Sequence, residues 1–272
     1  MSKKNKNSLV AALAVASAVG AFFVGGARAQ APTSLEIAAK SSQAFYYAGS
    51  DMKVRILMTL TSSGGQKRIR EMTMLRRNEG TAGEQKYFIY FHQPADIKAM
   101  TFLVVKYPGK DDDRWIFVPA VNLVKRIAAK DASQSFVGSD FTYEQVSGRD
   151  VDADEHKLLR EEKAGDRDCY VLESAARSPA EYSRKVAWID KATFLPIKEE
   201  YYDPKGELFK VFSADEIKDI GVVPTVVQRT MTNRKTGHAT TVVFKETAYD
   251  VGIEADIFSE RYLRDPPRKW VQ

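Results

Sequence analysis

Cysteine is almost missing from this chain: Cys169 is the only one in 272 residues. A disulfide framework within the chain and a cysteine-rich zinc site are therefore excluded. Histidine is nearly as scarce, and His92, His156 and His238 lie far apart in sequence. A metal centre needs several converging ligands, so neither a metal nor a cofactor is expected. His238, which follows the turn residue Gly237, reads as a solvated hairpin tip. Asp111-Asp112-Asp113 lacks the ligand spacing of a calcium loop and reads as a charged turn. Nucleotide-binding motifs are absent. Gly138-Ser139-Asp140 is not the Gly-x-Ser-x-Gly elbow of a lipase. Cys169 falls within an expected strand, as a small buried hydrophobe. With no recognisable pair of nucleophile and base, the protein is not expected to be an enzyme.

A lasting basic surplus is also absent. Residues 1–29 hold Lys3, Lys4, Lys6 and Arg28 and no acid; without those four, the 41 basic residues fall to 37 against 36 acidic. A nucleic-acid binder keeps its basic surplus in the folded part, so nucleic acid is not an expected partner. The first 29 residues instead carry the pattern of a secretory signal. A lysine-rich start precedes the apolar stretch Leu9 to Val24, and Ala27-Arg28-Ala29 supplies small-x-small before Gln30. That apolar run is short for a membrane span of roughly 20 residues, and no later stretch is apolar enough for one. The start has no twin arginine, and no cysteine follows the cleavage point to carry a lipid. The expected product is a soluble periplasmic protein cleaved after Ala29, a single domain over residues 30–272 of about 243 residues.

Linkers, repeats and low-complexity tracts are missing too. Short apolar runs alternate with turn signals, which marks antiparallel strands. One helix comes first, capped by Thr33 or Ser34 and ended by Gly49, with Leu35, Ala38, Ala39, Ser42, Phe45 and Tyr46 on one face. Met52–Thr61, Lys67–Arg77, Lys86–His92, Phe102–Lys106 and Arg114–Val118 read as strands. So do Lys157–Glu162, Cys169–Ala175, Lys185–Ile189, Pro196–Tyr202, Glu207–Phe212, Val223–Thr232 and Ala239–Thr247. No helix of crossover length separates most neighbours, so the fold is mainly β, a sheet of roughly 11–13 antiparallel strands with short helices. So large a sheet curls and needs a cover. The segment between Ile127 and Val151 offers one, with Ser139 expected to cap a short helix there.

That segment contains Phe136-Val137-Gly138-Ser139-Asp140-Phe141-Thr142-Tyr143-Glu144. The run resembles a hallmark of the outer-membrane lipoprotein-sorting-like proteins, relatives of the LolA/LolB periplasmic lipoprotein carriers. Gln93-Pro94-Ala95-Asp96-Ile97-Lys98 with Phe102-Leu103 resembles a Pro-x-x-Ile-Lys stretch of that family. Trp115-Ile116-Phe117-Val118-Pro119-Ala120 is similar to its Trp-x-x-x-Pro-Ala strand. Trp188-Ile189-Asp190 with Pro196, and Asp203-x-x-Gly206 before Lys210, are similar to its later hairpins, and Phe258 to its phenylalanine before the last strand. The resemblance spans nearly all of residues 30–272. It implies an incomplete antiparallel β-barrel, a LolA/LolB-like half-barrel, with a helical lid over an apolar cavity. It also implies carriage of acylated or lipidic cargo, lipoprotein or free lipid, towards the outer membrane. The implied partners are an inner-membrane transporter of the resistance-nodulation-division (RND) type and an outer-membrane acceptor. A lipid-sensing regulatory module of the cell envelope is the alternative. The lid arginine of true LolA carriers has no assigned counterpart here.

Met58, Met72, Met74, Phe88, Tyr90, Phe102, Ile116 and Trp188 occupy alternating positions that can face inward. They are the candidate lining of the cavity, with plain core packing as the competing reading. Methionine adapts to varied apolar partners. Phe136, Phe141 and Tyr143 are the candidate lid residues. Arg76-Arg77 and Lys125-Arg126 read as rim charges, with docking to anionic head groups as the functional alternative.

Overall fold

Side chains alternate across a strand, and the stretch from Met52 shows what that period produces. The structure, a computed structural model, describes residues 31–80 and 83–271; the expected signal segment, residues 1–29, and Gln30 lie outside the described residues. Helix α1 (Ser34–Tyr46) leads into β1 (Asp51–Thr61), where Met52, Val54, Ile56, Met58 and Leu60 are buried on one face. Hairpins then add β2 (Lys67–Glu79), β3 (Glu84–Gln93), β4 (Thr101–Lys106), β5 (Asp113–Val118) and β6 (Leu123–Ile127). After a long connection containing α2 (Tyr143–Ser147), a second meander runs through β7 (Asp154–Ala164), β8 (Arg167–Ala176), β9 (Arg184–Asp190) and β10 (Pro196–Tyr202). It continues through β11 (Leu208–Ile220), β12 (Val223–Asn233) and β13 (Ala239–Tyr249). Helices α3 (Arg261–Arg264) and α4 (Arg268–Val271) follow.

All pairings are antiparallel, in one 13-stranded sheet of order β6-β5-β4-β3-β2-β1-β13-β12-β11-β10-β9-β8-β7. Two sequential meanders thus meet at a central seam between β1 and β13, with Met58 opposite Val242. The sheet does not close: β6 and β7 are its edges. It curls so far that Met72 of β2, Ile89 of β3, Tyr201 of β10 and Phe212 of β11 line one chamber. This is the half-barrel expected from the sequence. β6 was not expected, and Phe258 is followed by α3 and α4 rather than by a strand.

The terminal segments cross the seam in opposite directions. Helix α1, attached to β1, packs Ile37 and Ala38 on Leu172, Ala187 and Ile189 of the second meander, on the inner face. Thr33 caps it, and Glu36 returns the bond to the Thr33 backbone. Leu35 is exposed, so the buried face is centred on Ile37 rather than on the stripe read from the sequence. The C-terminal segment, attached to β13, packs Ile257, Phe258, Leu263 and Trp270 on Leu75, Phe88, Leu103 and Phe117 of the first meander, on the outer face. Arg76 is buried instead of lying at the rim. Its guanidinium donates to the carbonyls of Tyr46, at 2.5 Å, and of Ala48, and so satisfies the C-terminal end of α1.

Candidate functional site

The connection from β6 to β7 has to travel from one edge of the sheet to the other, and it does so as a strap across the inner face. Its centre is a tight loop. The Phe136 N–H donates to the Phe141 carbonyl at 2.8 Å, and the Ser139 hydroxyl donates to the Phe136 carbonyl at 2.8 Å. Val137 sits at φ 50, a left-handed conformation that costs a β-branched residue roughly 1–2 kcal/mol. The Arg70 guanidinium donates to its carbonyl. Ser139 therefore closes the loop rather than capping a helix. The cap of α2 is Thr142, in a reciprocal box with Gln145. At Gly148 a Cβ would lie 3.0 Å from the Tyr46 ring, so only glycine lets the strap pass this close to α1.

Three anchors hold the strap. The Phe136 ring enters the first meander, with centroids 5.3 Å from Phe102, 6.1 Å from Phe91 and 5.7 Å from Tyr143. Asp140, nearly fully buried, reaches the second meander. Its carboxylate accepts from the Thr240 hydroxyl at 2.7 Å and from His238 Nδ1 at 2.5 Å, and its carbonyl accepts from Lys210 Nζ at 2.8 Å. His238 is thus a latch partner, not a solvated tip. Lys210 also pairs with Glu181, whose carboxyl is pushed up by burial. The third anchor is Arg149, which pairs with Glu144 at 2.8 Å and Asp154 at 2.9 Å.

Beneath the strap, Met58, Met72, Met74, Phe102 and Ile116 share one core with Phe136, Phe141 and the half-buried Tyr143. Met58, Met72, Met74, Phe136 and Phe141 line a cavity of about 60 Å³; Phe102 and Ile116 belong to the core without reaching it. The other three candidates face away. Phe88 and Tyr90 lie under the C-terminal segment, and Trp188 lies on the outer face with Val171 and Val186, its indole donating to Glu162. In β3 the inner residues are Tyr87, Ile89 and Phe91. Both β3 and β9 are buried on their two faces, so their sequences lack the polar alternation that reveals which face is which.

Ligand pockets for drug-sized molecules usually measure about 300–1,000 Å³. At about 60 Å³ the chamber is well below that size.

Polar groups also line the chamber. Glu199 pairs with Lys185 at 3.1 Å and accepts from the Tyr201 hydroxyl, and burial pushes Tyr46 and Tyr201 above the usual phenol range. Arg229 lies between the buried Val227 and Met231 at two-residue spacing, hence on the inner face of β12. That parity was the sequence signal for it. Its guanidinium carbon is 5.2 Å from the Phe45 ring centroid and 4.6 Å from that of Phe244. Among the described residues it has no hydrogen-bond or ion-pair partner, and burial holds it below its ordinary value. Also among the described residues, no cluster of three or more His, Cys, Asp or Glu is placed to hold a metal, and no helix is long and apolar enough to cross a membrane.

Comparison with known proteins places this geometry. No curated protein matches the sequence. The sequence model of a family described as uncharacterized protein-like matches residues 83–265. Among solved structures, a LolA superfamily protein from Nitrosomonas europaea is 19% identical, over 85% of this chain and 100% of that one, with a TM-score of 0.68; it shares the fold. A protein from Vibrio parahaemolyticus described as an outer membrane lipoprotein-sorting protein domain is 29% identical, over 85% of this chain and 98% of its own, with a TM-score of 0.79. A DUF1329 family protein from Desulfovibrio piger is 30% identical, over 85% of this chain and 97% of its own, also with a TM-score of 0.79. With its LolA-like half-barrel and strap, the chain belongs to the DUF1329 family.

Proposed function

We propose that the protein is a periplasmic carrier that encloses the acyl chains of a lipid or lipoprotein between the inner face of its sheet and the strap. It binds without making or breaking covalent bonds. One observation carries the reading: a methionine-rich apolar chamber, nearly filled, lies under a strap held at discrete points. The likeness to a protein described as an outer membrane lipoprotein-sorting domain supports the same reading. Residues 30–272 act as one binding domain after cleavage at Ala29. Met58, Met72 and Met74 receive the chain, and Phe136, Phe141 and Tyr143 give way to it. Each buried methylene contributes about 0.8 kcal/mol, so a chain of about 16 carbons supplies on the order of 10 kcal/mol before association costs. Because the chain has no nucleotide motif, energy for directional transfer comes from a partner or from affinity differences; the partners are an RND-type transporter at the inner membrane and an acceptor at the outer membrane.

The test is native mass spectrometry of protein purified from the periplasm, with uptake of a fluorescent fatty-acyl probe. A co-purifying acyl lipid and saturable uptake are expected. A bare protein that also ignores the probe would refute the carrier. Crosslinking in cells should return the transporter; an anti-sigma-type regulator in its place would convert the reading to lipid sensing.

A further inference from the structure

Among the described residues, two hydrogen-bond donors that line the chamber have no protein acceptor. One is the Arg229 guanidinium, described above. The other is the Gln145 side-chain amide: its Nε2 is buried without a partner. The orientation of that amide is fixed. Gln145 Oε1 accepts from the Thr142 N–H at 2.9 Å in the capping box, so the NH2 group must point the other way. Both residues line the same cavity as Met58, Met72 and Met74. A buried donor without an acceptor, as at Gln145 Nε2, destabilises the empty chamber and favours a ligand that accepts from it. The Arg229 guanidinium is only partly buried and lies against two aromatic rings, with its N–H groups free to take an anion. The one carboxylate lining the chamber, Glu199, is already engaged by Lys185 and Tyr201. Burial also keeps the neighbouring phenols neutral, so they offer no counter-charge.

We propose that Arg229 and the Gln145 amide form an anionic-head-group site inside the chamber, and that the ligand is a single-chain fatty acid bound through its carboxylate. This rests on the carrier reading and narrows it: the cargo is an amphiphile whose acid end enters, not a neutral acyl ester. The guanidinium presents paired N–H groups that match a carboxylate, the strap amide adds a third donor, and the methionines take the chain. Because Gln145 sits on the strap, the bound head group bridges strap and sheet.

The experiment compares palmitate with methyl palmitate, which share a chain and differ in charge. The wild-type protein should prefer palmitate by at least about tenfold. Arg229→Met should abolish that preference while keeping the ester affinity, and Arg229→Lys should keep part of it. Gln145→Glu preserves the capping box but aims a carboxylate oxygen at the site, so it should weaken palmitate alone. It also serves if Arg229→Met fails to fold by circular dichroism. Hexadecyl phosphate is the third probe; tighter binding of it than of palmitate would reject the carboxylate. Equal binding of palmitate and ester by the wild type, or a preference that survives in folded Arg229→Met, would overturn the head-group site. Failure of every probe to bind would instead refute the carrier itself.

Discussion

If the strap is the gate, the Asp140 latch sets how often it opens. Asp140→Ala removes two hydrogen bonds to a nearly buried carboxylate, from Thr240 at 2.7 Å and His238 at 2.5 Å. Bonds to charged groups contribute about 1.5–3 kcal/mol each. The two share one acceptor and will not add fully, so on the order of 3 kcal/mol is lost from the closed form. The backbone bonds of residue 140 to Thr240 and Lys210 survive the substitution, so the loop keeps its path. At about 1.4 kcal/mol per tenfold, the open fraction should rise by on the order of 100-fold. Cargo that enters only the open form then meets a smaller conformational cost. Stopped-flow binding of a fluorescent fatty-acyl probe should show a faster association rate in Asp140→Ala, together with a lower thermal midpoint. The double variant with His238→Phe, whose side chain bonds only to the Asp140 carboxylate, should add little. An unchanged association rate in folded, destabilised Asp140→Ala would show that the latch is ordinary packing and that entry does not pass the strap.

Other expectations follow from the same geometry. Phe141→Ala should weaken the closed form by on the order of 3 kcal/mol through lost burial, read by denaturant unfolding. Phe141→Asp should reduce probe uptake while circular dichroism reports intact strands; unchanged affinity would remove Phe141 from the lid. Burial, with the Arg55 guanidinium beside it, pushes His92 down to about 4 from 6.5. The fold therefore favours neutral His92: its contribution is complete above about pH 6.5 and is lost as pH falls towards 4. The side chain is only partly buried, so that contribution is about 1 kcal/mol after solvent screening. His92→Gln should flatten the stability profile in this window, and a His92 ring that titrates near 6.5 by NMR would refute the assignment. N-terminal sequencing of the exported protein should begin at Gln30; Met1 in the membrane fraction would reject cleavage.

Strand existence was legible wherever one face is wet. β1 alternates Val54, Ile56, Met58 and Leu60 with Lys53, Arg55, Thr59 and Thr61, and it was read within one residue of its bounds. β6 was missed because Leu123-Val124-Lys125-Arg126-Ile127 is an edge strand that buries only Ile127. The choice of face failed at Phe88, Tyr90 and Trp188 for a different reason. There the C-terminal segment, or packing on the outer face, buries the side that alternation would otherwise mark with polar residues. The strap was legible as a cover from Phe136-Val137-Gly138-Ser139-Asp140-Phe141. Its latch was not, since Thr240, His238 and Lys210 lie 70–100 residues away and meet Asp140 only through the curl of the sheet.

The seam has a kinetic consequence. Its partners, Met52 through Thr61 and Ala239 through Tyr249, are nearly 200 residues apart along the chain, whereas every other pairing in the sheet joins neighbouring strands. Each meander can therefore zip from local hairpins, while the seam must wait for the last strand and carries the loop-closure entropy of almost the entire chain. Until then β1 presents an open edge of eleven residues, one face of it lined with methionine and branched aliphatics. Such an edge is a template for pairing with another chain. Slow seam closure should therefore limit refolding, and aggregation should compete with it most strongly in that interval.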